Sequence, residues 1–247
     1  MKKAIIFDLD HTLYDFVKPH LAAIEATNRY MHDKFGFTME EADEKGKEAY
    51  RRVKQKVGEA TAATHSRTLR YQTLCEENGQ NAFLHAHIMA DLYWDTFLSV
   101  MEGDDAVLPV LKALKARGIR IILGTDMTAD IQFKKVEKLG LGNVIDYMVT
   151  SEEAGGEKPS ARILDLCLKK AGCDKSEAVF IGDHPLKDVT GPIAYGLDAV
   201  WCRHFNPEKF LDMMGIAVDI KDPIPYRFER YEDCVTPDGI SFGGLQI

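Results

Sequence analysis

The sequence has no excess of positive charge. Lys and Arg number 31 against 39 Asp and Glu, which gives a formal net charge of −8 at pH 7. A protein with this balance repels nucleic acid polymers and anionic membrane surfaces, so we expect neither as a partner. An anionic substrate would need positive charge placed locally around its binding site.

Paired cysteines and long hydrophobic runs are also missing. The absence of a CxxC pair favours reduced thiols over a disulfide framework or a zinc site. The five cysteines are Cys75, Cys167, Cys173, Cys202 and Cys234. Lys2 and Lys3 precede apolar residues, but Asp8 interrupts that run too early for a secretory signal, and no stretch is long enough to span a bilayer. We therefore expect a cytoplasmic protein.

The chain does contain a strong pattern near its start. An apolar run from Ala4 to Phe7 is typical of a strand buried on both faces, and Asp8 and Asp10 follow it. Residues two apart on a strand point to the same side. Burying both carboxylates is costly, so the pair implies a cation, a shared proton or a catalytic role. For Asp10 alone, the alternative is a cap on a following turn or helix.

The segment of residues 16–105 has a different pattern of apolar residues from the rest of the chain. Apolar residues recur there at helical spacing, and strand-like β-branched runs are nearly absent. We predict an all-helical module inserted after the first strand. It contains a basic patch that only Glu59 opposes, which is either a solvated helix face or a site for an anionic ligand. The patch consists of Arg51, Arg52, Lys54, Lys56, Arg67 and Arg70.

Beyond residue 105 helices and strands alternate, which predicts a parallel sheet with helices on both faces. The predicted helices cover residues 107–116, 129–139 and 163–171, and the predicted strands cover residues 119–123, 146–150, 178–181 and 197–202. Strands of a parallel sheet end at one edge, where ligands bind. Asp8, Asp10, Thr125 and Asp183 follow or end such strands, and Asp188 is near enough to join them. Several carboxylates at one point favour a hard cation, magnesium or calcium, beside a phosphate group.

One lysine follows a glycine-containing loop near the same edge. Lys158 stands after Gly155 and Gly156, where the chain enters the next helix. A cation there would offset carboxylate repulsion and bind a phosphoryl group. The alternative is an ordinary surface lysine.

Four short motifs together resemble the haloacid dehalogenase-like superfamily. They are Asp8-Leu9-Asp10-His11-Thr12-Leu13, the strand ending in Thr125, Lys158-Pro159, and Gly182-Asp183-His184-Pro185-Leu186-Lys187-Asp188. The resemblance implies an α/β fold with a Rossmann-like parallel core in residues 1–15 and 106–247, and a helical cap domain in residues 16–105. The segment between Thr125 and Lys158 is too short for a second cap.

The same resemblance implies roles for individual residues. Asp8 would attack phosphorus and form an aspartyl-phosphate, and Asp10 would act as the acid and then the base. Dehalogenases of this superfamily lack the second aspartate, so Asp10 indicates phosphoryl chemistry. Thr125 and Lys158 would hold phosphate oxygens. Mg2+ would be held by Asp8, the backbone carbonyl of Asp10, Asp183 and, directly or through water, Asp188.

The expected function is that of a magnesium-dependent phosphatase acting on a small phosphorylated metabolite, of the nucleotide or sugar phosphate class. A phosphomutase on the same core and a non-catalytic phosphate-binding protein remain the alternatives. Asp126 departs from the family pattern, which often has Asn there, and adds negative charge beside the phosphate site. After Cys202, residues 236–239 are typical of a hairpin turn between strands at 227–235 and 240–242.

Overall fold

The computed structural model describes residues 2–58, 60–213, 215–217, 224–237 and 239–247. The chain divides into two compact units, Met1–Asp15 with Glu102–Ile247, and Phe16–Met101. We call them the α/β unit and the helical unit. The division follows Met101, whereas the boundary expected from the sequence follows Asp105.

The α/β unit is built on a parallel sheet with the strand order β3-β2-β1-β4-β5-β6. The strands are β1 Ala4–Phe7, β2 Arg120–Thr125, β3 Tyr147–Thr150, β4 Ala178–Gly182, β5 Asp198–Cys202 and β6 Arg227–Phe228. All five strand pairs are parallel, and Phe7 stands opposite Leu123 and Ile181. The four residues of β1 are fully buried, as an apolar strand covered on both faces should be. The predicted parallel α/β fold is confirmed.

The three helices predicted from the sequence are present in the α/β unit, and three short helices were not predicted. The helices of this unit are α5 Val107–Ala116, α6 Ala129–Lys138, α7 Ser151–Ala154, α8 Ala161–Ala171, α9 Gly191–Tyr195 and α10 Pro207–Met213. The predicted ones are α5, α6 and α8. Ser160 caps the start of α8 by accepting from the Arg162 amide, and Gly172 ends it in the left-handed conformation. The buried face of α8, with Leu164 and Cys167, belongs to the same apolar cluster as Ile6 of the central strand.

The helical unit consists of α1 Val17–Phe35, α2 Met39–Val57, α3 Arg67–Glu77 and α4 Ala82–Val100, with a 3₁₀ turn at Ala62–His65. No strand occurs in the described residues 16–58 and 60–101, in agreement with the all-helical prediction. Gly36 ends α1 in the left-handed conformation, and a capping box of Thr38 and Glu41 begins α2. Glu59, the acidic residue expected to oppose the basic patch, lies outside the described residues. None of the helices in the described part of the chain is long and apolar enough to cross a membrane.

The C-terminal segment corrects one prediction. The strand expected at residues 227–235 is not continuous, because β6 ends at Phe228 and a 3₁₀ turn occupies Tyr231–Asp233. The strand is broken because β6 pairs with β5 in the large sheet, while the next strand belongs to a separate sheet. That small antiparallel sheet contains β7 Val235–Thr236, β8 Gly239–Phe242 and β9 Leu245–Gln246. Asp238 of the expected hairpin turn lies outside the described residues.

Candidate active site

Three aspartates meet at the carboxyl ends of neighbouring strands. Asp8 follows β1, Asp183 follows β4, and Asp188 lies in a π-helical turn at Pro185–Thr190. One carboxylate oxygen from each lies within 4.8 Å of the others, and all three side chains are buried. They meet because β1 and β4 are adjacent and in register, with the Asp8 amide donating to the Ile181 carbonyl at 2.9 Å.

Gly182 makes room for the third aspartate. A Cβ at this position would lie 2.5 Å from the Cβ, Cγ and Oδ2 atoms of Asp188, a distance that no side chain tolerates. The His184 amide donates to Asp188 Oδ2 at 2.9 Å and so orients the carboxylate. A glycine at the end of β4 is therefore required for Asp188 to approach the strand.

Lys158 is the cation of this cluster. Its Nζ atom lies 2.7 Å from Asp8 Oδ1 and 2.7 Å from Asp188 Oδ1, and the residue is only 4% exposed. Burial lowers the pKa of this ammonium, but the charges of Asp188 and Asp8 outweigh it and raise the pKa well above its usual range. Lys158 is thus a buried partner of the carboxylates, and the surface-lysine alternative is wrong.

The cluster has more negative than positive charge. If all three carboxylates were ionised, they would face one ammonium and two negative charges would remain uncompensated. Burial and repulsion from Asp188 and Asp10 raise the pKa of Asp8 to about 7, although Lys158 opposes this shift. Burial and repulsion from Asp188 and Asp8 raise the pKa of Asp183 well above its usual range. A purely oxygen donor set with this charge fits a hard divalent cation.

Asp10 lies in a different environment. Its Oδ1 atom is 2.6 Å from the Nζ atom of Lys135, a residue with no exposed surface, and also accepts from the Tyr14 hydroxyl. Its Oδ2 atom accepts from Gln132 Nε2 at 3.1 Å. Burial alone would raise the pKa of Asp10, but Lys135 and these hydrogen bonds lower it overall. The Asp10 carboxylate is therefore ionised and bound outside the cluster of Asp8, Asp183 and Asp188.

Gln132 connects Asp10 to Thr125. The Nε2 atom of Gln132 donates to Thr125 Oγ1 at 2.7 Å and to the Asp126 carbonyl at 3.1 Å, as well as to Asp10. Thr125 is 1% exposed. The end of β2 is thus joined by one side-chain amide to the loop that follows β1.

The Asp126 carboxylate has one cationic partner and one amide partner. Its Oδ2 atom lies 2.8 Å from Lys187 Nζ, which also lies 3.0 Å from Glu157 Oε2. Its Oδ1 atom accepts from the Lys158 backbone amide at 2.9 Å. The departure from the family pattern therefore fixes the loop that holds Lys158, and the extra negative charge faces Lys187, which Asp126 shares with Glu157.

Gln132, Lys135 and Lys187 were not singled out from the sequence. Lys187 lies inside the fourth motif, one residue before Asp188, where a basic residue could have been noticed. Gln132 and Lys135 are three residues apart on α6, so they share the face of a helix that begins directly after the Thr125 strand. Their spacing was visible, but nothing in the pattern showed that this face is buried.

Comparison with known proteins agrees with the motifs. The model of the haloacid dehalogenase-like hydrolase family matches residues 2–196. A ribulose-1,5-bisphosphate 5-phosphatase from Halopiger xanaduensis is 34% identical over 214 residues, which cover 86% of this chain and 88% of that protein. A glyceraldehyde 3-phosphate phosphatase from Methanothermobacter thermautotrophicus is 28% identical over 230 residues, 91% of this chain and 97% of that protein.

A solved structure supports the fold. The 2-haloacid dehalogenase from Pseudomonas syringae pv. Tomato DC3000 superposes with a TM-score of 0.69 at 24% identity, covering 94% of this chain and 96% of that one. At this identity the likeness concerns the fold alone. The family match over most of the chain, together with relatives named as phosphatases, is decisive: the chain is an enzyme of the haloacid dehalogenase-like hydrolase family.

Proposed function

We propose that the enzyme is a magnesium-dependent phosphatase that hydrolyses a small sugar phosphate through an aspartyl-phosphate on Asp8. The observation that carries the proposal is the position of Lys158 Nζ, 2.7 Å from both Asp8 and Asp188 in a buried cluster with Asp183. An ammonium and a cluster suited to a divalent cation together provide positive charge for a phosphoryl group. The names of the two relatives favour a sugar phosphate over the nucleotide that the sequence left open.

The proposed metal ligands are Asp8, Asp183, Asp188 and the backbone carbonyl of Asp10. Mg2+ held there would neutralise charge on the phosphoryl oxygens and on the Asp8 carboxylate. Thr125 and Lys158 would bind the remaining phosphate oxygens, Thr125 through its hydroxyl and Lys158 as a point charge. Gln132 already fixes the orientation of the Thr125 hydroxyl.

In the first step, a carboxylate oxygen of Asp8 forms a bond to phosphorus while the bond from phosphorus to the alcohol oxygen breaks. The leaving oxygen takes a proton from Asp10. In the second step, a water oxygen forms a bond to phosphorus while Asp10 accepts a proton from that water, and the bond between Asp8 and phosphorus breaks to release phosphate. The ionised state of Asp10 beside Lys135 suits the second step, and the first step requires that Asp10 be protonated with this contact loosened.

We also propose that the helical unit is the cap domain that selects the substrate. Its division from the α/β unit after Met101, and its helical content throughout the described residues, support this assignment. The cytoplasmic location expected from the sequence stays a prediction.

The test uses a generic chromogenic ester, p-nitrophenyl phosphate, with Mg2+ or with EDTA. We expect turnover only with the metal, and a loss on the order of 1,000-fold or more for Asp8→Asn because the nucleophile is removed. Asp130→Asn is the matched control, because Asp130 is exposed and forms a surface ion pair with Lys134 in the same unit. It should retain activity within about twofold.

Turnover that persists in EDTA, or full activity of Asp8→Asn, would overturn the proposal.

Product analysis distinguishes a phosphatase from the two alternative functions. Release of inorganic phosphate identifies a phosphatase, whereas transfer to another sugar hydroxyl identifies a phosphomutase. A chain that binds Mg2+ and phosphate without turning over any ester would be a phosphate-binding protein.

A further inference from the structure

The basic patch of the helical unit contains two kinds of arginine. Arg51 and Arg52 are exposed and lie 2.8 and 2.9 Å from oxygens of Glu48, and Arg52 also lies 3.7 Å from Glu77, so both arginines are paired with carboxylates on the surface. This pairing corrects the expectation that only Glu59 opposes the patch. Arg67 is 6% exposed and Arg70 is partly buried, and both lie in the first turn of α3.

The buried arginines have incomplete hydrogen bonding. Arg67 Nη2 donates to the Tyr93 hydroxyl at 3.0 Å, and its Nη1 atom donates to the His65 carbonyl at 3.1 Å. The Nε atoms of Arg67 and Arg70 are buried and have no hydrogen-bond partner. Within the described part of the chain, neither guanidinium pairs with a carboxylate.

Aromatic rings cover the flat faces of these guanidinium groups. The Arg67 guanidinium carbon lies 4.2 Å from the centre of the Tyr93 ring and 5.0 Å from that of Trp94, and the Arg70 carbon lies 4.5 Å from that of Tyr50. Cation–π contacts use the face of the group and leave the in-plane N–H donors free for other partners. Those donors form the fork that binds oxyanions.

The position on the helix adds to the positive potential. The start of a helix carries partial positive charge and normally attracts acidic residues, but the first turn of α3 contains none and contains two arginines instead. Burial, and then repulsion from Arg67, lower the pKa of Arg70 to about 10. Two cations and a helix start in one place, with no anion to balance them among the described residues, indicate that the balancing charge comes from a ligand.

We propose that Arg67 and Arg70, at the start of α3, form a binding site for a phosphate-class oxyanion. The partial exposure of Arg70 gives the anion access, while Arg67 and the aromatic rings provide a largely dehydrated wall. The anion is either a second anionic group of the substrate, which rests on the proposed function, or free phosphate, which does not.

Equilibrium binding of inorganic phosphate to the full chain tests the site directly. We expect two phosphates per chain in the wild type and one in Arg70→Gln. Arg67→Lys keeps the buried charge but removes the fork of donors, so it should lower the affinity for the same phosphate at least tenfold. Arg51→Gln is the matched control, because it removes one exposed, compensated charge from the same unit and should keep both sites. Circular dichroism and thermal melts check that each variant is folded.

Lys158→Gln separates this inference from the proposed function. If the active-site proposal fails but this one holds, the wild type binds one phosphate, which Arg70→Gln loses and Lys158→Gln keeps. If only this inference fails, the single phosphate is lost in Lys158→Gln and kept in Arg70→Gln. That second result overturns the site.

Steady-state kinetics identify the source of the anion. If the site holds a second anionic group of the substrate, Arg70→Gln raises KM for a sugar bisphosphate at least tenfold, with kcat and the KM for p-nitrophenyl phosphate changed less than twofold. If the site holds free phosphate, both KM values stay at the wild-type level while the binding loss remains. Wild-type KM values together with wild-type phosphate binding in Arg70→Gln would contradict the proposal.

Discussion

Asp8 and Asp10 are two residues apart, yet their surroundings push their pKa values in opposite directions. Burial and neighbouring carboxylates raise the pKa of Asp8 to about 7. For Asp10, burial is outweighed by Lys135 together with the hydrogen bonds from Tyr14 and Gln132, so its pKa is lowered. Different environments for two adjacent carboxyl groups are how enzymes give them different roles. In the proposed mechanism a divalent cation would return Asp8 to its ionised form, and Lys135 would control the charge on Asp10.

Replacing Lys135 with Met tests this control. Without the ammonium, the pKa of Asp10 should rise, so the acidic limb of the kcat–pH profile should move to higher pH. We expect kcat to fall about tenfold to 100-fold, because an acid–base group held in the wrong orientation loses part of its contribution. Lys135→Arg should restore part of the rate. The measurement is kcat against pH for p-nitrophenyl phosphate.

Lys134→Met provides the comparison for this variant. Lys134 is a neighbouring lysine of the same helix, with a side chain 53% exposed and ion-paired to Asp130. Lys134→Met should leave kcat and the pH profile unchanged, because an exposed ion pair contributes little to stability. A Lys135→Met enzyme with the wild-type rate and profile would show that Lys135 does not act through Asp10.

At the level of elements, the C-terminal segment supports the loop after β1. The family model ends at residue 196, but the buried Tyr231 hydroxyl donates to the Thr12 carbonyl at 3.0 Å, two residues after Asp10.

Ring contacts add to this hydrogen bond. His11 in the same loop has a left-handed φ of 59°, and the centre of its ring lies 4.4 Å from the centre of the Phe210 ring. Phe242 of β8 lies against Phe7 of the central strand. These contacts give the tail a structural role that its sequence did not reveal.

Tyr231→Phe should destabilise the loop without removing the ring. The substitution leaves the Thr12 carbonyl without its strong donor. We expect the free energy of unfolding to fall by about 1 kcal/mol, which lowers Tm by about 2–4 °C for a protein of this size. Because the loop carries Asp8 and Asp10, we expect kcat to fall a few-fold with little change in KM. Thermal melts and steady-state kinetics measure both effects.

Tyr147→Phe is the matched control for the loop variant, since Tyr147 belongs to the same unit and is 48% exposed. Equal losses in the two variants, or a wild-type Tm and kcat for Tyr231→Phe, would argue against the supporting role of the tail.

For the whole molecule, the sequence predicted the parts that depend on local pattern and on parallel topology. Helix α5 begins and ends as predicted, because its apolar period and its Gly118 stop are both local. The meeting of Asp8 and Asp183 followed from adjacent parallel strands. The partners of Asp10 could not be predicted, because which face of α6 is buried depends on tertiary packing. The break at Phe228 likewise depends on which sheet each strand joins.

The charge of the cluster predicts how stability responds to pH and metal. A carboxyl group whose pKa is raised on folding stabilises the protein below its unfolded pKa, and this contribution is lost as pH rises toward the folded value. For Asp8 the loss falls between its ordinary pKa and about 7. Mg2+ competes with the proton bound to the Asp8 carboxyl group, and this proton is mostly lost at pH 8. The ion should therefore raise Tm more at pH 8 than at pH 6. At 100 times its Kd, one ion contributes about 2.7 kcal/mol.

The measurement is a set of thermal melts with and without Mg2+ at the two pH values. Asp183→Asn should lose most of the metal-dependent gain, while Asp130→Asn should keep it because that side chain is exposed and outside the cluster. An equal gain at both pH values, or an undiminished gain in Asp183→Asn, would mean that the ion binds elsewhere.

A crystal structure of the enzyme with Mg2+ and orthovanadate is the decisive experiment for the proposed active site. We expect one ion bound by Asp8 and Asp183, with Asp188 bound directly or through water, at oxygen distances of about 2.0–2.1 Å. We also expect the vanadium atom beside an Asp8 carboxylate oxygen, with Lys158 bound to the vanadate oxygens. A vanadate bound away from Asp8, or an ion held by other residues, would contradict the account.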